Sequence, residues 1–267
     1  MAGHDHKYRD WLKRGHGRVD LLRSLAESCD VYYYTLAHDL GIGRLHEMLA
    51  EFGFGRATGI DLPGETGGLL PSAEWKRRAR SLPWYPGETV ITGIGQGFML
   101  ASPLQLAYAT SILANRGRKM VPHVVGQIED PVAHIASEVG IYERSGFEIN
   151  EASHWDSVIQ GMVEVVHGSR GTARRSAFGA TYRYAGKTGT AQLFGIAQDQ
   201  TADNDKTPKH LRDHALFIAF APVENPEIAV AVVIENGGSG SRVAAPVARV
   251  ILDYYFNGTA EVTLDDG

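Results

Sequence analysis

"HALFIAFAPVENPEIAVAVVIENGG", residues 214–238, holds two continuous apolar runs joined by the short polar stretch "VENPE" at 223–227. A connection this short makes the two runs antiparallel neighbours in one sheet. Both runs are apolar on both faces, so the sheet needs cover on each side, and helices must supply it.

Working outward, three segments read as such helices. "SPLQLAYATSILANRG" offers Ser102 as a cap, Pro103 in the first turn, and Asn115 with Gly117 as a stop. It is apolar nearly all round, which predicts a buried helix. "HWDSVIQGMVEVVHG" lines up Trp155, Val158, Met162, Val165 and Val166 on one stripe and ends at Gly168. "APVARVILDYYF" puts Val247, Val250, Ile251 and Tyr254 on another, with Pro246 near its start. "ATYRYAG", just before Lys187, supplies a third strand or its approach, and "DQTADNDKTPKHLRD" reads as a mobile loop bordering the sheet.

Before residue 120 the pattern changes. "DLLRSLAESCD" and "VYYYTLAHDLG" form two helical pieces that meet at residues 28–30, the second stopped by Gly41. Glycine-rich turns follow, then a short helix in "SAEWKRRA". The expected class is mixed α/β (α+β): one domain, with a helical lobe at about 10–125 set against a sheet and covering helices at about 150–257.

The chain has 267 residues, 43% of them hydrophobic, which is enough for a sizeable core. A net charge of -5 and a pI near 6.1 give no general attraction to nucleic acid, and the basic clusters at 76–80 and 170–175 are short and separated. No nucleic-acid partner is expected. The single cysteine, Cys29, excludes an internal disulfide, and no apolar run is long enough to span a membrane.

Two short patterns carry chemistry. "YAGKTGTAQ", residues 184–192, puts Lys187, Thr188, Gly189 and Thr190 in succession at a strand. The lysine adds a fixed positive charge, the hydroxyls and strand amides donate hydrogen bonds, and the glycine lets another backbone come close. Such a strand edge can hold a carboxylate or bind a peptide as an extra strand, though a polar strand end with one solvated lysine has the same composition. Ser28, Cys29 and Asp30 stand at the helix junction, where Asp30 could equally cap a helix and Cys29 fill a small gap.

Read together, Ser-x-Asp and the distant Lys-Thr-Gly look like two of the three motifs of serine enzymes that react with penicillin. "GIDLPGE", "ITGIGQGFMLASPLQLAYATSILANRG", "GTARRSAFG" and "KTGTAQ" resemble, in order, the transpeptidase domain of class B penicillin-binding proteins. "SCDVYYYTLAHDLGI", "EWKRR", "PWYPGETV" and "LRDHALFIAFAP" bring the resemblance nearest to the elongation D,D-transpeptidases of Gram-negative bacteria, the penicillin-binding protein 2 branch. It covers almost the whole chain.

The resemblance implies a penicillin-binding-protein and β-lactamase-like fold, with D-Ala-D-Ala stem peptides of peptidoglycan as substrates and β-lactams as ligands. It implies that Ser28 relays a proton to the leaving amine and that Lys187 supports the relay. Thr188 and Thr190 would hold the peptide carboxylate, the Thr190 amide would complete an oxyanion hole, and Gly189 would keep the strand accessible. Asp30 stands where many relatives carry Asn and can only accept hydrogen bonds while ionised. The partners implied are an elongation glycosyltransferase and other membrane proteins, and the setting is a periplasmic domain of an inner-membrane-anchored parent.

One element of the family pattern is missing. No Ser-x-x-Lys occurs in the 267 residues; Ser72 comes nearest, but Lys76 lies one position too far. The expectation is a C-terminal part of a transpeptidase domain whose nucleophile helix lies upstream, inactive by itself. A β-lactamase, or a non-catalytic module or sensor that binds a peptide or β-lactam, would also carry these motifs.

Asp10, His16 and Cys29 offer a carboxylate, an imidazole and a thiolate, a donor set suited to zinc but one short of a closed tetrahedral site. A structural zinc on an Asp, an Asp-x5-His and the Cys of Ser-Cys-Asp is what the resemblance implies, and His4, Asp5 or His6 would stand in for the upstream ligand. A buried free cysteine beside two surface residues is the alternative. His38, His46, His123, His167 and His214 read as hydrogen-bonded structural residues, and the tyrosines at 32–34 as packing.

Overall fold

The two apolar runs form the predicted antiparallel pair, with Ala215 opposite Ile234 and Ala221 opposite Ile228. A third strand pairs on the other side, with Ala185 opposite Phe220 and Ala191 opposite His214. The computed structural model describes residues 8–193 and 207–258. In chain order the helices are α1 Leu21–Ala26, α2 Asp30–Glu51, α3 Ala73–Arg80, α4 Pro86–Thr92, α5 Pro103–Ala114, α6 Ser153–His167 and α7 Ala245–Asn257. The strands are β1 Lys119–Met120, β2 Gln127–Glu129, β3 Ala136–Glu138, β4 Glu143–Arg144, β5 Ala185–Ala191, β6 His214–Ala221 and β7 Ile228–Ile234.

The period of two along β6 divides the core. Ala215, Phe217, Ala219 and Ala221 face one way, packing with Val230 and Val232 of β7 and with Ala245, Ala248 and Leu252 of α7. Phe220 and Ile218 face the other way, onto Ala114 of α5 and Ile159, Met162 and Val163 of α6. The sheet is therefore covered on both faces, as two-sided apolar strands demand. In α5, Ser102 accepts from the amide of Gln105 and Gln105 returns the bond, so the cap predicted from sequence is a full capping box.

Several expectations are corrected. The third strand takes only Ala185 and Gly186 from "ATYRYAG" and runs on through Lys187, Thr188, Gly189 and Thr190 to Ala191. Gly41 does not end its helix: at φ 78 and ψ 160 it kinks α2, which resumes at once and runs to Glu51. The stripe assigned to α7 is on the wrong face. Ala245, Ala248 and Leu252 are buried, whereas Val247 is 40%, Ile251 41% and Tyr254 66% exposed. Small side chains let the helix axis approach the sheet, and the larger apolar residues are left outside. The helix α4 and the short ladders β1 with β4 and β2 with β3 carried no sequence signal that the patterns above captured. Of the predicted mobile loop, residues 199–206 lie outside the described residues, as do His4, Asp5 and His6.

The strand order β5-β6-β7 makes β5 an edge strand. Helices α1 and α6 pack together, and α6 lies against β5, so the turn after α1 is brought to the edge of the strand that carries Lys187. Among the described residues no helix is long and apolar enough to cross a membrane.

Candidate active site

Ser28 sits between α1 and α2 with φ 54, a left-handed backbone that costs a non-glycine residue about 1–2 kcal/mol. The turn is held by the Cys29 amide, which donates to Ser24 O at 2.9 Å. It is also held by a residue the sequence reading passed over. The Trp11 indole Nε1 donates to Glu27 O and Ser28 O, both at 3.0 Å, and the Trp11 backbone amide donates to Asp30 Oδ2 at 3.3 Å. No local spacing connects position 11 with position 28, so only the folded chain shows this clamp. Trp11→Phe, which keeps the ring and loses the donor, is expected to raise hydrogen exchange at the amides of residues 28–30 several-fold. The global cost should be only about 1 kcal/mol, the size of one net hydrogen bond.

The turn points its serine at β5. Lys187 Nζ donates to Ser28 Oγ at 2.8 Å and to Thr188 O at 2.9 Å, across 159 residues of sequence. Part of the Lys187 stem remains accessible, but its ammonium is desolvated, and burial lowers its pKa to about 8 against a smaller upward pull from Asp30. Burial and then the charge of Asp10 raise the Asp30 carboxyl to about 6, opposed by the Trp11 amide and Lys187. The two desolvated charges thus partly sustain each other. Asp30 is the first residue of α2, and Cys29 occupies the cap position with no side-chain bond, so Asp30 does not cap the helix.

Thr188 Oγ1 lies 2.9 Å from Thr172 Oγ1, and the Thr172 amide donates to Ala26 O at 3.1 Å, tying the strand to the end of α1. Thr190 is exposed, and its carbonyl accepts from Gln96 Nε2 at 2.6 Å. Gly189 turns toward its sheet neighbour: a Cβ there would lie 3.2 Å from Leu216 Cβ. Thr172 and Gln96 stand in "GTARRSAFG" and "ITGIGQG", but nothing in those blocks alone gives them a role.

The three metal-type residues also converge. The candidate donor atoms of Asp10, His16 and Cys29 lie within 4.8 Å of one another, with His16 and Cys29 buried. His16 Nδ1 is 3.1 Å and Cys29 Sγ 3.3 Å from Asp10 Oδ2. These separations approach the edge of about 3.5 Å in a tetrahedron built on ordinary zinc bond lengths. His16 Nε2 is buried without a hydrogen-bond partner and faces Glu27 Oε2 at 3.8 Å, the kind of carboxylate that commonly backs a metal-bound imidazole. The donor chemistry and placement fit zinc. Of the histidines read as hydrogen-bonded, His46, His123, His167 and His214 each bond to backbone, and His38 contacts Asp39.

A helix-covered antiparallel sheet, whose edge strand presents Lys-Thr-Gly to the serine of Ser-x-Asp, defines the class of serine enzymes that react with penicillin. The chain belongs to the penicillin-binding protein transpeptidase domain family, which it matches over residues 2–253. It is 42% identical over 253 residues to the peptidoglycan D,D-transpeptidase MrdA of Haemophilus influenzae, covering 94% of this chain and 38% of that protein. Penicillin-binding protein 2 of Pseudomonas aeruginosa, solved in complex with WCK 5153, superposes with a TM-score of 0.81 at 44% identity, covering 96% of this chain and 51% of that one. Penicillin-binding protein 2 of Helicobacter pylori, solved in complex with MreC, gives a TM-score of 0.81 at 32% identity, covering 96% and 43%. The fold, family and branch expected from the sequence blocks therefore hold. The chain spans about two fifths of the curated relative's length.

Proposed function

We propose that the chain is the larger part of the transpeptidase domain of a peptidoglycan D,D-transpeptidase that cross-links D-Ala-D-Ala stem peptides and is acylated by β-lactams. The single observation that carries this reading is the 2.8 Å contact between Lys187 Nζ and Ser28 Oγ at the edge strand β5. An ammonium bonded to the serine oxygen leaves the hydroxyl proton free to be passed to a leaving amine, and its charge stabilises the oxygen as the proton departs. Thr188 and Thr190 hold the substrate carboxylate, and the Thr190 amide meets the carbonyl oxygen that becomes negative in the transition state. Asp30 helps to keep the Lys187 ammonium charged.

The attacking serine is not among these residues, since no Ser-x-x-Lys occurs in the sequence. The chain alone is therefore proposed to hold a peptide and not to be acylated. The parent is proposed to be anchored in the inner membrane with this domain in the periplasm, working with an elongation glycosyltransferase and membrane partners. Asp10, His16 and Cys29 are proposed to hold a structural zinc, which when bound supplies a rigid link between the 10–16 stretch and the Ser28 turn and takes no part in bond making.

Labelling with a fluorescent penicillin tests the activity. This chain is expected to remain unlabelled, and a version extended upstream to include Ser-x-x-Lys is expected to label. A folded, extended chain that carries the motif and stays unlabelled would leave only the non-catalytic binding reading.

A further inference from the structure

The outer edge of β5 is already partly occupied by the protein itself. Thr188 O accepts from Lys187 Nζ at 2.9 Å. Further along, the side-chain amide of Gln96 spans two backbone groups: Nε2 donates to Thr190 O at 2.6 Å, and Oε1 accepts from Gln192 N at 3.4 Å. One amide thus presents a donor and an acceptor to the strand, as a neighbouring peptide would. The Thr190 N–H faces the same way as its carbonyl, because both groups of one strand residue point to one edge. The Thr188 N–H and Thr190 N–H both lie in this row, and the one at Thr190 is placed to meet an incoming carbonyl.

The turn that presents Gln96 is built for a fixed position. Helix α4 ends at Thr92, and Gly95 and Gly97 follow at φ 76 and φ 78, backbone conformations that L side chains rarely adopt. The Gly95 amide donates to Thr92 O at 2.9 Å and the Gln96 amide to Ile91 O at 3.2 Å, so the residue between the two glycines is held by its own backbone. Gln96 is half-buried, and its side chain reaches the strand from a separate element 94 residues away in sequence.

In an antiparallel pair, one residue exchanges both of its bonds with the residue opposite. A peptide residue that gives its carbonyl to Thr190 N–H must therefore give its own N–H to Thr190 O, the position held by Gln96 Nε2. We propose that Gln96 is a resident competitor for the peptide, a specificity-determining residue whose side-chain amide is displaced from Thr190 O by the backbone N–H of a bound stem-peptide residue. The proposal rests on the reading of β5 as a peptide site. Its consequence is that part of the affinity for a peptide amide is spent on exchange. Removing Gln96 should raise affinity only for ligands that bring this N–H.

The test is calorimetric titration of this chain, and of Gln96→Ala and Gln96→Met, with acetyl-D-Ala-D-Ala and with its analogue N-methylated on the penultimate residue. Both variants are expected to bind the unmethylated peptide about fivefold more tightly than wild type does, the size of one net hydrogen bond, and to bind the methylated one unchanged. Two variants of different side-chain bulk guard against a single misfolded protein. Unchanged or weaker binding of the unmethylated peptide would overturn the role of Gln96 while leaving the peptide site in place. Equal tightening for both peptides would overturn it too, since that reports a loosened edge rather than removal of a competitor. If no protein binds either peptide and Lys187→Ala gives the same result, the peptide-site reading fails and takes this inference with it.

Discussion

Lys187→Ala, in a chain extended upstream to include Ser-x-x-Lys, is expected to slow labelling by a fluorescent penicillin about a hundredfold or more, equivalent to roughly 2.7 kcal/mol of transition-state stabilisation. The ammonium makes two hydrogen bonds at once, to Ser28 Oγ and to Thr188 O, and alanine removes both together with the charge. A loss of this size is what a charge-assisted bond in a desolvated site supplies. The same substitution separates function from stability. Burial holds the folded-state pKa of Lys187 at about 8, below its ordinary value of 10.5. The unfolded chain therefore binds more protons between these values, so stability rises with pH across that window, and the full penalty of a buried charge is present below about pH 8. The expected rise in wild type between pH 8 and 10.5 is up to about 3 kcal/mol, and Lys187→Met should lack it. Labelling should move the other way, falling as pH passes 8 and the ammonium discharges. The two pH profiles, melting temperature and labelling rate for wild type and variant, check this. A Lys187→Ala chain that labels at the wild-type rate would remove the lysine from the mechanism.

Much of this arrangement is legible in the sequence where local physics decides it. The runs at 214–221 and 228–234 are apolar on both faces and too closely joined to be anything but antiparallel, and they pair as such. The α5 boundaries follow from Ser102, Pro103 and Asn115, because a cap is a hydrogen bond to the chain's own next turn. Periodicity failed at α7, where two stripes compete. The larger residues, Val247, Ile251 and Tyr254, make the stronger apolar pattern, but Ala245, Ala248 and Leu252 allow the closer approach and are buried. At the site, the motifs named Ser28 and Lys187, while the contacts that place them were invisible. The Trp11 bonds to the Ser28 turn, the contact of Thr172 with Thr188 and the hold of Gln96 on β5 all join residues far apart in sequence through one or two atoms. A spacing pattern carries no information about such contacts until the chain is folded.

Removal of metal is the second large effect expected. Protein purified without chelator and dialysed should carry about one zinc per chain by elemental analysis, and Cys29→Ala should carry none. Chelation should lower the melting temperature by about 6–12 °C, which for a domain of this size corresponds to about 3 kcal/mol. Without a metal the three donors satisfy one another only in part. Asp10, His16 and Cys29 are drawn to within 4.8 Å of one another, His16 Nε2 is buried without a partner, and the Asp10 carboxylate faces both the imidazole and the thiol. A buried cluster of this kind stabilises little by itself, because each group loses water and gains only weak contacts. A divalent cation held by Asp10, His16 and Cys29 would convert the same desolvation into bonds and join the 10–16 stretch to the turn that holds Ser28. The indole of Trp11 lies 5.5 Å from the His16 ring and also donates to Ser28 O, so its fluorescence should change as zinc is removed and recover when zinc is returned. Loss of that change in Trp11→Phe, which leaves Trp75, Trp84 and Trp155, assigns the metal to this cluster rather than to one elsewhere. If Cys29→Ala melts with the wild type, and the dialysed protein is metal-free with the same tryptophan emission before and after added zinc, the cluster is a buried cysteine with two hydrogen-bonded neighbours, and the Ser28 turn is held by Trp11 and its backbone bonds without a metal.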